Sequence, residues 1–369
     1  ILTPTGGGAF DSQVRVYQTI ADSDFTITNI SVKEVTNVPR IDYTGGGCPH
    51  ILAEPQRTNV VTYSEDLSQW TTVTNGGTAS ASVTVNYGIS PDGTQNASRV
   101  QLDKGNTGYA EVYQLFTTTS GVTNTQTIFL KSLNGTPEIN FGWGNTIRGT
   151  ITLTTEWQRY TFTYTSGGVS NAAALTLFDA TTAQSIDVLA WGAQAEQASY
   201  PTSYIPTSGS TVTRNQDIFT RDGIGSLINS TEGCVFGEGN FAESNSSSYN
   251  YFVSLSDGTP NNRLEIRQSA SNLQFLWRVA TYQSEISTSS LDVSSNFKFA
   301  LNYSAANIKF YVNGDLIGTI NTPTLWSANT LNRLAFDNGA GGDRLSGKVK
   351  QLQVYDTALD DTQLAALTT

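Results

Sequence analysis

Apolar and polar residues alternate with a period of two along much of the chain. Between positions 160 and 165 aromatic residues alternate with threonines, and between 308 and 312 Ile, Phe and Val alternate with Lys and Tyr. Successive side chains of a strand point to opposite faces, so this pattern predicts antiparallel strands with one face in a core. Asn313-Gly314 separates two such runs. Because both residue types tolerate the positive φ of a type I′ turn, the pair predicts a hairpin.

One segment has the pattern of a helix start. Asp360 is followed three residues later by Gln363, which is the spacing of a capping box, and Leu359 and Leu364 are placed to form a hydrophobic staple. Other helix signals are nearly absent, and many short strand patterns are separated by Gly, Asn, Ser and Thr. The sequence therefore predicts an all-β fold of tandem antiparallel β-sandwich or jelly-roll domains, with one short C-terminal helix.

Two stretches rich in Pro, Gly and Ser divide the chain. Residues 36–57 contain three prolines and a glycine triplet, and residues 199–215 contain two prolines in a Thr, Ser and Gly cluster, so both are interpreted as linkers. The segments 58–198 and 216–369 are each a natural size for one sandwich. Residues 1–35 resemble the last strands of the middle segment. We interpret them as terminal strands of a preceding jelly-roll-like domain, with chance similarity as the alternative.

Composition excludes several classes of protein. The 369 residues have a formal net charge of −11, and only 14% of them are charged. A nucleic-acid binder needs a basic face to displace counterions, and a membrane-surface protein needs clusters of Lys and Arg. No run approaches the 18 apolar residues that a membrane span requires. We therefore expect no nucleic-acid partner and no membrane insertion.

The scarcity of His and Cys limits the chemistry available to the chain. His50 is the only imidazole, the group that most often acts as a base near neutral pH. A metal site built from His and Cys clusters cannot be assembled. Cys48 and Cys234 fall in separate segments and are interpreted as free thiols, with a disulfide as the alternative. The chain contains no Met, so we expect it to begin within a longer protein or after processing.

Aromatic residues interspersed with polar ones mark a candidate carbohydrate site. A sugar needs aromatic faces for the apolar side of its ring, and amide, carboxylate or Arg groups for its hydroxyls. In the middle segment the candidates for these roles are Tyr109, Tyr113, Trp143, Asn145 and Arg148. The alternative is that the aromatic rings fill the core of the sandwich.

The C-terminal segment contributes one further candidate. Trp326 follows Pro323 in a loop-like stretch and is expected to be exposed, so it joins the carbohydrate-binding set. Trp277 shares a strand face with Phe275 and is expected in the core. The polar stretch 244–250 is either a recognition loop or a solvated turn.

Several motifs resemble known families. A segment that recurs in fibre and tail proteins of tailed phages, where it introduces a jelly roll similar to carbohydrate-binding modules, is similar to residues 36–215. Its motifs here are PRIDY (39–43), LAEPQRTN (52–59), YSEDL (63–67), SPDGT (90–94), WGAQAE (191–196) and YPTSYIPT (200–207). The remainder resembles a concanavalin-A-like (laminin-G-like) sandwich, through FYVNG (310–314), GKVKQLQVY (347–355) and ALDDTQL (358–364).

The resemblance implies a non-catalytic virion protein, a tail fibre or receptor-binding component. It would attach to host cell-surface polysaccharide through many weak sites acting together. Fibres are usually trimers and the strands in 1–35 need a partner, so a homotrimer with other virion proteins as partners is expected, on the virion. No motif pairs two carboxylates for glycoside cleavage, so no catalytic residue is predicted. The alternatives are a structural decoration protein that binds other virion proteins, and a secreted bacterial glycan-binding module.

A structural Ca²⁺ is the one cofactor that the resemblance implies. Glu65, near the first strand of the middle segment, and Asp187, before its last strand, are similar to the structural ion site of carbohydrate-binding jelly rolls. Their oxygens are the hard ligands that calcium prefers. The alternative is turn chemistry, because Asp favours turns on its own account.

Overall fold

The protein is built from antiparallel strands and ends in one short helix. The computed structural model describes residues 39–43, 49–106, 108–144, 147–178, 183–244 and 246–369. The all-β prediction is confirmed for these residues. The strands expected in 1–35, Cys48 and Asn145 lie outside them.

The strands up to residue 214 are β1 (Ile41–Asp42), β2 (His50–Ala53), β3 (Arg57–Asn59), β4 (Thr71–Asn75), β5 (Ser80–Gly88), β6 (Ala97–Asp103), β7 (Tyr109–Thr117), β8 (Thr123–Ser132), β9 (Glu138–Gly144), β10 (Ile147–Thr152), β11 (Gln158–Thr165), β12 (Ser170–Leu177), β13 (Ser185–Glu196) and β14 (Val212–Arg214). Those that follow are β15 (Thr220–Asp222), β16 (Gly233–Phe241), β17 (Ser246–Ser256), β18 (Arg263–Ala270), β19 (Asn272–Val279), β20 (Thr281–Ser287), β21 (Phe297–Tyr303), β22 (Asn307–Val312), β23 (Asp315–Asn321), β24 (Arg333–Ala335) and β25 (Gly347–Tyr355). Single 3₁₀ turns occupy Leu67–Gln69 and Gly225–Leu227, and the helix α1 spans Asp361–Thr368.

Two five-stranded sheets form the first sandwich. Their strand orders are β10-β9-β12-β7-β4 and β11-β8-β13-β6-β5. Alternate residues of each sheet meet in one core, to which β6 contributes Val100 and Leu102, and β7 contributes Ala110 and Val112. The period-two pattern of the sequence therefore corresponds to two half-buried sheets packed face to face.

A seven-stranded and a six-stranded sheet form the second sandwich. The orders are β1-β2-β25-β16-β21-β22-β23 and β15-β24-β17-β18-β19-β20. Aromatic rings dominate the core between them, as where Phe252 meets Phe299 edge-on with ring centroids 5.4 Å apart. Phe275 and Trp277 lie in this core, as expected.

Strands from both expected linkers are part of sheets. Ile41–Asp42 and His50–Ala53, which the sequence placed in a linker, form β1 and β2, and Ile51 of β2 pairs with Val349 of β25. Ala53 is 2% exposed in the core of the second sandwich. The linker interpretation is corrected for these residues, because their apolar side chains complete the edge of a sheet formed by much later strands. Where the chain enters and leaves the first sandwich, β3 and β14 pair with each other.

An ion cluster lies where these segments meet. The carboxylate of Glu54 is 2.8 Å from Nη1 of Arg40 and 2.7 Å from Nη1 of Arg214, and its other oxygen accepts a hydrogen bond from the backbone of Ser203. Arg40 also binds the carboxylate of Asp217. Glu54 is 7% exposed, so this buried ion cluster holds together the chain segments that connect the two sandwiches.

Two local predictions are confirmed. Asn313 and Gly314 have φ of 48° and 90° in the turn between β22 and β23. Asp360 and Gln363 form the reciprocal hydrogen bonds of the capping box, and Leu364 of α1 packs on the second sandwich. No helix among the described residues has the length and apolar character that a bilayer crossing requires.

Candidate functional site

The outer face of the six-stranded sheet is unusually rich in charged and aromatic residues. In β18, Leu264 and Ile266 point into the core, so the residues between and beside them, Arg263, Glu265 and Arg267, lie on the opposite face. Three charged side chains in a row are a concentrated feature in a chain with 14% charged residues. This concentration of charged side chains makes the outer face of the six-stranded sheet a candidate binding site.

Strand register brings the neighbours of these charges together. Arg267 pairs with Tyr251 of β17 on one side and with Gln274 of β19 on the other. Arg263 pairs with Arg278 of β19, and Arg278 pairs with Tyr282 of β20. Directly paired side chains are close enough to interact. We call the residues Tyr249, Tyr251, Arg263, Glu265, Arg267, Gln274, Arg278 and Tyr282 the tyrosine–arginine face.

A buried carboxylate lies at the centre of the face. Glu265 is 0% exposed, although it belongs to the solvent side of the sheet. Its Oε2 is 2.7 Å from Nε of Arg263, and its Oε1 is 3.0 Å from Nη1 of Arg267. Burial raises the pKa of the Glu265 carboxyl, while the charges of Arg263, Arg267 and Arg278 oppose that shift.

Two tyrosine rings form the exposed part of the face. The ring of Tyr249 is 3.9 Å from the guanidinium carbon of Arg267, and the ring of Tyr282 is 5.8 Å from that of Arg278. Tyr249 is 50% exposed and Tyr282 is 48% exposed. Cation–π contacts of this kind hold a ring in place. The arrangement offers flat apolar surfaces beside hydrogen-bond donors, which is the chemistry that a sugar ring requires.

The predicted tyrosines of the first sandwich also face away from its core. Tyr109 and Tyr113 alternate in β7 with the core residues Ala110 and Val112 and are both half-buried. Glu111 lies between them and accepts a hydrogen bond of 2.8 Å from Thr176. The structure therefore places this predicted pair and one carboxylate on a single outer face.

The other predicted residues of that sandwich are only partly described. The backbone of Trp143 pairs with Ala172 in the same sheet, and the backbone of Arg148 belongs to β10. Their side chains and the whole of Asn145 lie outside the described residues. Their role in binding stays a prediction.

Trp326 is buried, so the expectation that it is exposed was wrong. It is 3% exposed, its indole N–H donates to the backbone oxygen of Arg278 at 2.6 Å, and its ring meets Tyr303 edge-on. The indole is a member of the core of the second sandwich, where it has both apolar neighbours and a hydrogen-bond acceptor. A ring in this position has no face to offer a ligand.

The two residues predicted to bind calcium have different partners. Asp187 is held by the guanidinium of Arg99, whose Nε is 2.7 Å from Oδ1. Glu65 accepts hydrogen bonds from Tyr204 at 2.9 Å and from Asn96 at 3.1 Å. Within the described residues, no three side chains of His, Cys, Asp or Glu gather into a set that could hold a metal ion. Calcium binding by these residues stays a prediction.

A large cleft opens between the two sandwiches but is a weaker candidate. It has a volume of about 390 Å³, and its wall includes Glu54, Lys348 and Tyr200. The charge of Lys348 is paired with Asp42 at 2.5 Å, and Glu54 is held in the junction cluster. The hydroxyl of Tyr200 is 2.5 Å from that of Ser346. These groups are engaged with protein partners, whereas the rings of the tyrosine–arginine face are open to solvent.

Reasoning from the sequence missed most of this face. The signal was available in the alternation of β18, where charged residues occupy every second position beside Leu264 and Ile266. A row of charged residues on the outer face of a predicted strand can be recognised from the sequence alone and indicates a candidate binding site. The contribution of Tyr249 had no such signal, because its contact with Arg267 depends on strand pairing.

Comparison with known proteins finds similarity in part of the chain. A family model described as the concanavalin A-like lectin/glucanases superfamily matches residues 240–365, a span that contains the tyrosine–arginine face. No curated protein matches the chain.

Several solved structures are similar to parts of the chain at low identity. The IT-sialidase CBM40 of Ruminococcus gnavus bound to α2,3-sialyllactose is 14% identical, over 41% of this chain and 98% of that one, with a TM-score of 0.33. Domain 4 of the extracellular arabinanase AbnA of Geobacillus stearothermophilus, in complex with arabinotriose, is 12% identical over 43% and 73%, with a TM-score of 0.34. A putative carbohydrate binding protein of Bacteroides ovatus is 11% identical over 70% and 78%, with a TM-score of 0.30.

Proposed function

We propose that the protein is a non-catalytic saccharide-binding protein and that the tyrosine–arginine face is its binding surface. The observation that supports this most is the pair of half-exposed rings, Tyr249 and Tyr282, each set against a guanidinium. A ring held in this way loses little conformational entropy when a ligand stacks on it. The lectin family match over 240–365 agrees with the proposal.

The size of the face fits a short oligosaccharide. The three strand intervals from β17 to β20 span about 14 Å, and the four residue steps from Arg263 to Arg267 span about 13 Å. The rings would stack on the apolar sides of two sugar units, and Arg278 would donate hydrogen bonds to hydroxyls between them. The part of each ring that is not packed against Arg is the part available to the ligand.

The same face is poorly suited to glycoside cleavage. Hydrolysis needs two carboxyl groups that both reach the scissile bond. Glu265 is fully buried and its two oxygens are bound by Arg263 and Arg267. Glu285, two strands away in β20, is exposed. Across the sheet it pairs with Leu276, which in turn pairs with the buried Glu265, so this row of paired residues offers no second accessible carboxylate. Binding without turnover is therefore the function we propose.

A weak saccharide site binds a cell surface firmly only when many copies bind together. We propose that the copies are carried on a virion. The motifs at 36–215 resemble those of phage fibre and tail proteins, which supports a receptor-binding component that attaches to host polysaccharide. Several copies on one particle raise avidity without any new contact. A homotrimer would supply three faces, which light scattering on the full chain tests. Labelling of intact particles with an antibody to the chain tests its presence on a virion.

Saccharide binding is tested with the full chain on a glycan array, followed by calorimetry on the glycans retained. Truncating an aromatic anchor costs about 2 kcal/mol, so Tyr249→Ala and Tyr282→Ala should each weaken binding about 30-fold. The matched control is Tyr87→Ala in the first sandwich. Tyr87 is 47% exposed and its ring is 4.7 Å from the guanidinium of Arg99, so it resembles the two test residues in its exposure and in its contact with an Arg.

The results separate the alternatives. Loss of binding in both test variants and full binding in the control supports the proposed surface. Retained saccharide binding in both test variants would show that the site lies elsewhere, for example on the face with Tyr109 and Tyr113. A chain that binds no saccharide but attaches to assembled virions would favour the structural decoration role.

A further inference from the structure

Glu265 lies in an unusual place for a charged residue. It is on the solvent side of the six-stranded sheet, where a carboxylate would ordinarily be hydrated, and yet it is 0% exposed. Burying a charge is costly unless hydrogen bonds and an opposite charge compensate it. Here Arg267 supplies a hydrogen bond and a positive charge, Arg263 supplies a second positive charge, and each of them is less than 10% exposed itself. The sandwich core is on the other side of the sheet, so core packing does not explain the arrangement.

The contacts of Arg267 show what the buried charge does. Its Nε donates to Gln274 at 2.7 Å, and its Nη1 donates to Glu265 at 3.0 Å and to the hydroxyl of Tyr251 at 3.2 Å. Three acceptors arranged around one planar group fix its orientation. The guanidinium carbon then lies 3.9 Å from the ring centre of Tyr249. The Tyr249 ring therefore packs on the Arg267 guanidinium, whose orientation is fixed by its hydrogen bonds to Glu265, Gln274 and Tyr251.

We infer that Glu265 is a positioning residue of the saccharide-binding face, acting through Arg267 to hold the Tyr249 ring in its binding orientation. The inference rests on the proposed function. The inference predicts that the two exposed rings differ in how strongly they depend on Glu265. Tyr249 contacts Arg267, which donates a hydrogen bond to Glu265. Tyr282 contacts Arg278, which acts on Glu265 through its charge and makes no hydrogen bond to it within the described residues.

A double-mutant cycle tests this dependence. Glu265→Gln keeps the shape of the side chain and removes its charge, so Arg267 loses its ionic partner. Glu265→Gln alone should weaken saccharide binding by about the same factor as Tyr249→Ala. Combined with Tyr249→Ala it should weaken binding no further, because the ring that it positions is already gone. Combined with Tyr282→Ala the two factors should multiply.

Glu238→Gln is the matched control. Glu238 is another buried carboxylate of the second sandwich, 5% exposed, and it is bound by Lys350 at 2.6 Å and Asn296 at 3.0 Å. It should leave the affinity unchanged even where it lowers the melting temperature. If Glu265→Gln does not fold at the assay temperature, Arg267→Lys replaces it in the cycle, since it keeps the charge and removes the planar group beneath Tyr249.

Each outcome decides the inference. Non-additivity with Tyr249→Ala together with multiplication with Tyr282→Ala supports it. Multiplication with both, or an unchanged affinity in Glu265→Gln, overturns it and leaves the proposed function standing. A wild-type chain that binds no saccharide refutes the proposed function and the inference with it.

Discussion

Replacing Glu54 with Gln removes one negative charge from the centre of the junction cluster. The substitution keeps the shape of the side chain and the oxygen that accepts from the backbone of Ser203. It leaves Arg40 and Arg214 facing an uncharged amide, at sites where they now lie 2.8 Å and 2.7 Å from the carboxylate. Burial already lowers the pKa of Arg214, and Glu54 opposes that effect. The variant therefore exposes the cost of burying Arg214 without its partner.

The expected loss of stability is about 3 kcal/mol. Removing one partner of a buried ion pair costs roughly 3–5 kcal/mol, because the other charge stays buried and unpaired. The lower end applies here for two reasons. The side chain of Arg40 is 34% exposed, and Arg40 retains Asp217 as a partner. For a unit of 150–250 residues this corresponds to a melting temperature lower by roughly 6–12 °C.

Differential scanning calorimetry of the full chain measures the effect. Glu156→Gln is the control, since Glu156 is 87% exposed and 3.8 Å from Lys131, where an ion pair contributes about 0–1 kcal/mol. Equal melting temperatures for the two variants would refute the reasoning, because they would show that the junction charges are as well solvated as those of a surface pair.

Three further outcomes are expected. Trp326→Phe should lower stability by about 1–3 kcal/mol, since the backbone oxygen of Arg278 loses its buried donor, and chemical denaturation measures this. The bond from Arg99 lowers the pKa of Asp187 below its ordinary 3.8, so its stabilisation is present above that pH and lost as the pH falls through the lower folded value. Asp187→Asn should thus destabilise the protein by up to about 1 kcal/mol at pH 7, and the difference should shrink in melts at pH 3 and below. If Asp187 and Glu65 hold calcium, EGTA should lower the melting temperature, and an unchanged melt would remove that prediction.

Local structure was predictable because local residues determine it. The turn at Asn313-Gly314 needs two residues that tolerate positive φ, and the capping box at Asp360 and Gln363 needs only one turn of helix to form. Neither depends on where the rest of the chain lies. The alternation of strands was equally informative, since one buried face imposes a period of two wherever it occurs.

Long-range pairing left no local signal. Ile51 pairs with Val349, and nothing in the Pro- and Gly-rich surroundings of β2 indicates that its partner lies at the far end of the chain. The same holds for Trp326, whose burial depends on Tyr303 and on the backbone of Arg278. A loop-like sequence predicts exposure only when no distant cavity receives its side chains.

The candidate site falls between these cases. The alternation in β7 indicated that Tyr109 and Tyr113 share a strand face. It did not show whether that face is turned outward, and it gave no basis for ranking that face against others. The row from Arg263 to Arg267 could be identified by its period of two. The support of Tyr249 by Arg267 could not, because it requires the register of β17 on β18.

The pairing of β3 with β14 has a consequence for how such a chain can change. Because β1 and β2 precede the first sandwich and yet belong to the second, the first sandwich is an insertion within the second. Its entry and exit are hydrogen-bonded neighbours, with Asn59 opposite Val212, about 5 Å apart between Cα atoms. Residues 60–211 thus form a cassette with adjoining ends. Recombination at those two positions would exchange one inserted sandwich for another without leaving a gap for the recipient sandwich to bridge.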